Sequence, residues 1–237
     1  MIKRNRIHIK ETIANLICND AIQNKIIEEV KICREKIENY IKYDTNFLSS
    51  LKPIEINSSM PEIVKEMCLA SEKVGVGPMA TIAGAISHYA VKKILDCNEN
   101  FGIFDNGGDI SIFTDREIII GIYTGDAKIQ NIGLKIKPND KIMGICTSSG
   151  IIGHSLSFGR AHAVTVLSYD TLLADAVATA LCNECKVKDQ ILIEESLKKF
   201  YIDGIIGAIV IFDDYLGFIG DIPEFCETNI DFDLIAK

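Results

Sequence analysis

Several features that mark particular classes of protein are missing from this sequence of 237 residues. Its apolar runs, such as residues 204–212, are far shorter than the roughly 20 residues that a helix needs to cross a bilayer. Lys3, Arg4 and Arg6 near the start are not followed by the apolar stretch of a signal peptide. The net charge of −8 offers no overall basic surface for nucleic acid. We therefore expect a cytoplasmic protein whose partners include neither nucleic acid nor a membrane.

What the sequence does have is the apolar content of a folded domain, together with eight cysteines. Hydrophobic residues make up 48% and charged residues 24%, the balance of a globular protein with ample core. The length fits one large domain or two small ones, and we take residues 1–237 as a single domain. Most cysteines lie in apolar stretches and no export signal is found, so we expect buried thiols rather than disulfides. The eight are Cys18, Cys33, Cys68, Cys97, Cys146, Cys182, Cys185 and Cys226.

Apolar residues at helical spacing predict several helices. The clearest covers residues 20–41, where isoleucine and valine form one stripe between glutamate and lysine. Ser59 and Glu62 match a capping box, which predicts a helix over residues 60–73 that ends at Gly75 in the left-handed conformation. Further helices, rich in small or apolar residues, are predicted over residues 79–95, 171–183 and 191–200.

Strand patterns dominate the second half of the chain. From residue 101 the spacing changes to period two, and residues 102–136 are predicted to form one antiparallel meander. Residues 205–219 are predicted to close the fold as a hairpin around Asp213 and Asp214. Other extended segments are predicted over residues 6–18, 142–146 and 162–167. The predicted fold class is therefore mixed α+β, with antiparallel or mixed sheets packed against helices.

The predicted helix at residues 171–183 carries the first candidate for chemistry. Thr171, Asp175 and Thr179 are spaced four residues apart and share one face of a helix that otherwise consists mostly of Ala, Leu and Val. A carboxylate buried there without a partner is costly, whereas a carboxylate and a hydroxyl one turn apart are good ligands for Mg²⁺. Two interpretations stay open at this point, a metal site and a narrow solvated stripe on an amphipathic helix.

Two turns rich in glycine or hydroxyl groups are candidates for ligand binding. Asn106 and Gly107 between apolar segments form the strongest short signal for a hairpin, and the same tight turn, with Gly108 and Asp109, could admit a flat ring or a phosphate. The loop over residues 147–155 follows a strand, and its hydroxyl and amide donors suit an anion. Serine and glycine also simply form turns, so each signal taken alone is weak.

Three further signals are weaker still. Gly75 and Gly77 precede a predicted helix whose N–H groups could attract phosphate, but the spacing is not that of a dinucleotide-binding fingerprint. His154 could act as a base or contact a phosphate, although a lone histidine is more often structural. Cys182 and Cys185 have CxxC spacing, but no second pair completes a zinc site. Packing cysteines are therefore favoured over a redox or sulfur-transfer pair.

Taken together and in this order, these segments resemble the ApbE-like superfamily, whose type members are FAD:protein FMN transferases. The order is a Gly-rich helix start, Asn-Gly-Gly-Asp, Thr-Ser-Ser-Gly and Ala-Asp-Ala-Val-Ala-Thr-Ala. The chain is most similar to a cytosolic branch found mainly in archaea and bacteria, whose Gly-Val-Gly-Pro-Met-Ala and Gly-His-Ser-Leu-Ser-Phe-Gly occur here at residues 75–80 and 153–159. The resemblance covers residues 59–183 and implies an ApbE-like fold.

The resemblance also implies cofactors, a partner and roles for residues. Asp175 and Thr179, helped by the main-chain carbonyl of Ala178, would bind Mg²⁺. A threonine hydroxyl of an acceptor protein would attack the pyrophosphate of FAD, and His154 is the candidate catalytic residue. The residues that would contact the flavin nucleotide are Gly75, Gly77, Asn106, Gly107, Gly108, Asp109, Thr147, Ser148, Ser149, Gly150 and Ser155.

The sequence departs from the transferases in three ways. Their His-x-x-Asp-Pro segment is replaced by residues 154–158, which lack the Asp-Pro; Thr81 stands where they carry a lysine; and their export signal is not found. Three functions therefore stay open: an Mg²⁺-dependent FMN transferase or FAD pyrophosphatase, a flavin-binding protein without catalysis, and a sulfur-transfer or redox protein that uses Cys146, Cys182 or Cys185. A homo-oligomer is compatible with the sequence as well.

Overall fold

Eleven strands form the framework of the described part of the chain. The structure, a computed structural model, describes residues 1–151 and 158–229, and all structural statements refer to these residues. The strands are β1 (Ile2–Ile9), β2 (Thr12–Asn19), β3 (Gly102–Asn106), β4 (Asp109–Thr114), β5 (Ile118–Ile122), β6 (Ile132–Ile136), β7 (Asn139–Ser148), β8 (Ala163–Ser168), β9 (Ile205–Phe212), β10 (Tyr215–Gly220) and β11 (Phe225–Glu227).

The strands form two antiparallel sheets. Eight of them pair in the order β1-β2-β3-β4-β7-β8-β9-β10, and β11, β6 and β5 form a second sheet of three strands. The prediction of one meander over residues 102–136 is therefore wrong, because β3 and β4 belong to the large sheet and β5 and β6 to the small one. The small sheet separates because it buries Ile122, Leu134 and Ile136 against an apolar face of the large sheet.

Six α-helices pack on the other face of the large sheet or at its ends. They are α1 (Gln23–Tyr43), α2 (Thr45–Ser49), α3 (Glu62–Glu72), α4 (Ile82–Asp96), α5 (Thr171–Glu184) and α6 (Gln190–Phe200). The largest apolar cluster lies between these helices and the large sheet, and a second cluster lies between the two sheets. This arrangement confirms the predicted α+β class. Within the described residues, no helix combines the length and the apolar character that spanning a bilayer requires.

Local signals at the first helices have mixed outcomes. Residues 45–49 form the short helix α2, whose start is capped by the Asp44 side chain. The predicted capping box is wrong: α3 starts without a side-chain cap, because the hydroxyl of Ser59 bonds to Asn57 instead. The predicted left-handed conformation of Gly75 is confirmed by its φ of +75°.

Candidate functional site

A cavity of about 960 Å³ opens at the end of the large sheet where the β1–β2 and β3–β4 turns meet the end of β7. Its floor is formed by β2, β3, β4 and β7, one side by β5 of the small sheet, and the helical side by the start of α4 and the middle of α5. This volume lies towards the upper end of the range for cofactor pockets. The structure thus brings residues that are far apart in the sequence to one place.

Asp175 reaches this cavity from α5 and is anchored by α4. The main-chain N–H of Gly84 donates to Oδ2 of Asp175 at 2.8 Å. Gly84 is the third residue of α4, and N–H groups in the first turn of a helix have no partner within the helix. The other oxygen, Oδ1, has no hydrogen-bond partner among the described residues. Asp175 therefore caps α4 with one oxygen and keeps the second available on the cavity side.

The β3–β4 hairpin places a second carboxylate beside the first. Its two turn residues, Gly107 and Gly108, have φ of +72° and +101°, so the centre of the turn is Gly-Gly rather than the Asn-Gly that the sequence suggested. Asn106 donates from Nδ2 to the main-chain oxygen of Ala83 at 3.3 Å. Asp109 follows the turn and, like Gly107 and Gly108, lines the cavity.

Asp105, just before the turn, also lines the cavity but has its own partners. Its Oδ1 accepts from the N–H of Gly108 at 3.0 Å, and its Oδ2 accepts from Nδ2 of Asn15 at 3.2 Å. These bonds hold the turn that precedes Asp109 in place. Asp105 is thus a supporting residue of the hairpin.

Burial and mutual repulsion perturb the carboxyl groups of this corner. Burial raises the pKa of Asp109 well above its ordinary value, and the neighbouring charges of Asp175 and Asp105 raise that pKa further. Burial likewise raises the pKa of Asp175, and the Gly84 N–H offsets only part of that effect. No lysine or arginine is among the causes of the shifts at Asp109 or Asp175. Only hydrogen bonds favour the charged forms, from Cys146 and the Thr147 N–H to Asp109 and from the Gly84 N–H to Asp175, so both carboxyl groups favour a nearby cation when they ionise.

This corner fits a hard divalent cation that retains other ligands. The described residues contain no group of three His, Cys, Asp or Glu side chains close enough to hold a metal by themselves. Asp109, Asp175 and the half-buried Thr179 offer two carboxylates and one hydroxyl at the cavity wall. Mg²⁺ is commonly held by one or two carboxylates together with water and substrate phosphates. An incomplete protein donor set is therefore the arrangement that suits this ion.

The hydroxyl-rich segment after β7 forms another wall. Thr147, Ser148 and Ser149 line the cavity. The Thr147 N–H donates to the main-chain oxygen of Gly108 at 3.1 Å, which joins this wall to the hairpin turn. Gly150 instead packs on the backbone of Gly159, since a Cβ on Gly150 would lie 2.2 Å from the Gly159 oxygen.

The remaining predicted site residues lie elsewhere. Gly75 and Gly77 do not line the cavity, and a Cβ on Gly77 would lie 1.8 Å from the main-chain oxygen of Ser50, so its missing side chain serves close packing. The side chain of Ala178 is buried in the main apolar cluster. His154 and Ser155 fall outside the described residues. In the described part of the chain, no histidine lines the cavity.

Sequence reasoning missed three supporting residues of this site, Gly84, Ser87 and Asp105. Ser87 donates from its hydroxyl to the main-chain oxygen of Asp109 at 2.7 Å. The run of small residues in α4 indicates that backbone or a ligand can approach this helix closely. It gives no sign of which side chain would approach Gly84. Asp105 belongs to the recognised turn motif but reads as an ordinary strand residue.

The cysteines have surroundings of a different kind. No disulfide joins any of the eight, and both Cys182 and Cys185 are buried away from the cavity. Burial raises the pKa of Cys185 to about 12, and burial and nearby carboxylates raise the pKa of Cys146 well above its ordinary value. A thiol must be ionised to act as a nucleophile or redox group. These surroundings argue against a cysteine-based activity.

Comparisons with known proteins agree on one group of relatives. The family model described as AbpE bacteria matches residues 2–211. A UPF0280 protein of Methanococcoides burtonii is 39% identical over 230 residues, which is 97% of each chain. Among solved structures, the apbe protein of Thermotoga maritima aligns over the whole of both chains with a TM-score of 0.65 and 13% identity. The flavinyl transferase ApbE of Pseudomonas stutzeri aligns over 100% of this chain and 97% of its own, with a TM-score of 0.59 and 13% identity.

Proposed function

The chain belongs to the family described as AbpE bacteria, and from that membership we propose that it binds a flavin nucleotide together with Mg²⁺ in the cavity beside Asp109 and Asp175. We propose further that it cleaves the pyrophosphate of FAD. Either a hydroxyl of an acceptor protein takes the FMN group and AMP leaves, or water is the nucleophile and FMN and AMP are both released. We propose a flavin as the ligand because one structural neighbour is a flavinyl transferase, ApbE. The likeness to that neighbour concerns the fold, so the chemistry is argued from this chain's own residues.

The observation that carries the proposal is a pair of buried carboxyl groups, with no lysine or arginine among the causes of their pKa shifts, at one end of a cofactor-sized cavity. A protein that kept two such groups only for packing would have to overcome their desolvation and mutual repulsion. A bound cation removes both costs and leaves coordination positions for phosphate oxygens. Asp109 and Asp175 therefore have a role when a cation and an anionic ligand are both present.

The rest of the lining suits the other parts of a flavin nucleotide. Ile118, Ile120 and Ile103 provide an apolar side for a flat ring. Ser148 and Ser149 bring hydroxyl groups to the polar side, where they can donate to phosphate oxygens. The apolar side and the acidic corner lie in one continuous cavity, as a ligand with a ring at one end and a pyrophosphate further along requires.

In the proposed reaction the residues of this chain hold and orient the reactants. Asp109, Asp175 and Thr179 would hold Mg²⁺, which neutralises charge on the pyrophosphate oxygens. Gly84 fixes one oxygen of Asp175, and the hairpin turn fixes Asp109 against the Thr147 wall. Phosphoryl transfer depends mainly on such positioning and charge stabilisation. His154 remains the predicted group for accepting the proton of the attacking hydroxyl.

The test is a titration of the purified protein with FAD, with Mg²⁺ or with EDTA, followed by analysis of the products. We expect Mg²⁺-dependent binding and release of AMP, both abolished in Asp175→Asn. Asp170→Asn is the matched control, because Asp170 caps the same helix from an exposed position and asparagine caps equally well. FAD binding that is absent under both conditions would overturn the proposal.

One observation favours a second candidate, binding without turnover. Among the described residues, no histidine reaches the cavity that could serve as a base. A pure binding protein would retain Mg²⁺-dependent FAD binding and release no AMP on prolonged incubation. Product analysis in the same experiment therefore separates the two candidates.

A further inference from the structure

The start of α4 touches both carboxylate-bearing elements of the cavity. Gly84 donates its N–H to Oδ2 of Asp175 on α5 at 2.8 Å. One turn further along, the hydroxyl of Ser87 donates to the main-chain oxygen of Asp109 at 2.7 Å. Both contacts are between groups largely removed from water, where an unmade hydrogen bond is costly.

The approach of α5 to α4 at this point requires a residue without a side chain. A Cβ on Gly84 would lie 2.8 Å from Cβ of Asp175, 2.9 Å from its Oδ2 and 2.9 Å from the main-chain oxygen of Thr171. The last of these is a backbone atom and cannot turn away. Any side chain at position 84 therefore has to push the Asp175 carboxylate or the axis of α5 outward.

The geometry points to Gly84 and Ser87 as positioning residues that hold Asp175 and Asp109 in the arrangement that binds a divalent cation. This inference rests on the proposed metal site and adds to it the element that builds the site. Gly84 acts through Oδ2 of Asp175 and leaves Oδ1 free of hydrogen bonds among the described residues. Ser87 acts through the backbone of Asp109. Neither residue needs to touch the ion or the flavin nucleotide.

The experiment measures Mg²⁺ binding by titration calorimetry without any flavin, beside the thermal midpoint of unfolding of each variant. We expect Gly84→Ala to weaken Mg²⁺ binding by about tenfold or more, the usual effect of removing a group that orients a metal ligand. Ser87→Ala, a smaller change, is expected to weaken binding in the same direction and covers the case in which Gly84→Ala does not fold. Conversely, Asp175→Asn is expected to abolish binding.

Gly207→Ala is the matched control for crowding. Gly207 lies in β9, and a Cβ there would lie 2.4 Å from Cδ1 of Ile222 and 3.0 Å from the main-chain oxygen of Ile219. Gly207 does not line the cavity. The control is expected to lower the thermal midpoint and to bind Mg²⁺ as the unchanged protein does. A purely structural role for Gly84 predicts the same behaviour in both glycine variants.

The outcomes separate this inference from the proposed function. The inference is overturned if Gly84→Ala and Ser87→Ala bind Mg²⁺ as tightly as the unchanged protein, if Gly207→Ala loses as much affinity as Gly84→Ala, or if the unchanged protein binds no Mg²⁺. Mg²⁺ binding that depends on Gly84, without cleavage of FAD, would support the positioning role and refute the proposed reaction alone.

Discussion

The middle and the C-terminal end of helix α5 carry the two sets of residues that the sequence singled out as candidates for chemistry, and their surroundings differ. Near its middle, Asp175 and Thr179 line the cavity. At its C-terminal end, Cys182 and Cys185 are covered by another segment of backbone: a Cβ on Gly159 would lie 1.8 Å from the Cys182 oxygen, and the Arg160 N–H donates to the Cys185 oxygen at 2.8 Å. The middle of the helix borders open space, and its C-terminal end is closed by packing.

This difference shows that burial alone does not mark a functional group. Burial raises the pKa of Asp175 and of Cys185 alike. For the thiol, a raised pKa means a neutral, unreactive side chain, which can be buried in an apolar core at little cost. For the carboxyl group of Asp175, beside a second carboxyl group and a cavity, it means that the charged form is disfavoured until a cation binds next to it. The open space next to the group decides which interpretation applies.

The largest expected effect comes from comparing variants in the middle of α5 with variants at its C-terminal end. Asp175→Asn is expected to lower Mg²⁺-dependent cleavage of FAD by about 10²-fold or more, the scale on which losing a group that stabilises charge in a transition state is felt. Cys182→Ala with Cys185→Ala is expected to leave the rate unchanged. Rates are measured as AMP released at an Mg²⁺ concentration that saturates the unchanged protein. If the double cysteine variant loses activity while Asp175→Asn keeps it, the activity depends on the cysteines and not on Asp175.

A second prediction concerns stability. Gly159→Ala is expected to lower the free energy of unfolding by about 2 kcal/mol, because the added methyl group overpacks the closed end of α5. Thr179→Val is close to isosteric and faces the cavity side, so it is expected to keep stability but weaken Mg²⁺ binding. Urea unfolding and calorimetry measure the two quantities separately. Equal losses of stability in both variants would show that the Thr179 side is packed as tightly as the cysteine side.

A third prediction follows from the raised pKa values of Asp109 and Asp175. Between the ordinary carboxyl pKa of about 3.9 and the higher pKa of the folded state, the folded protein holds more protons than the unfolded chain. Its free energy of unfolding therefore falls as pH rises through that window. The metal-free protein should melt at a lower temperature at about pH 8 than at about pH 5, and Mg²⁺ should recover stability at the higher pH.

Thermal melts at both pH values, with EDTA or Mg²⁺, measure this effect. Asp175→Asn should weaken the dependence, because it removes one of the two carboxyl groups whose pKa is raised. A metal-free protein that becomes more stable from the lower to the higher pH would contradict the raised pKa values.

The smallest expected effect is that a thiol reagent does not react with Cys182 and Cys185 at the C-terminal end of α5. Six of the eight cysteines are buried, and only Cys97 and Cys226 are half-buried. A thiol reagent such as Ellman's reagent should therefore label at most these two in the native protein and all eight after denaturation. Fast labelling of Cys182 or Cys185 in the native state, located by peptide mass analysis, would bring the cysteine-based function back into consideration.

Much of the fold could be predicted from local patterns. Helical spacing located α1, α5 and α6, the hairpin signal located β3 and β4, and the α+β class is confirmed. The resemblance to ApbE-like proteins is confirmed by the family model and by the solved structures. Ser59 misled because its hydroxyl found a nearer partner in Asn57. The short strand β11 was missed because its three residues carry too little pattern.

The sequence by itself determined which residues carry charge and hydroxyl groups, and that Asp175 and Thr179 share one face of α5. It also determined that a tight turn joins β3 to β4, while the structure decided that Gly107 and Gly108, which adopt positive φ readily, form its centre in place of Asn106 and Gly107. Only the tertiary structure decided that Gly84 meets Asp175, and that Cys185 is closed off. The first outcome depends on a contact between residues 91 positions apart and the second on the contact of Arg160 with Cys185. No local spacing encodes such contacts, because they arise when helices and sheets pack to bury their apolar faces.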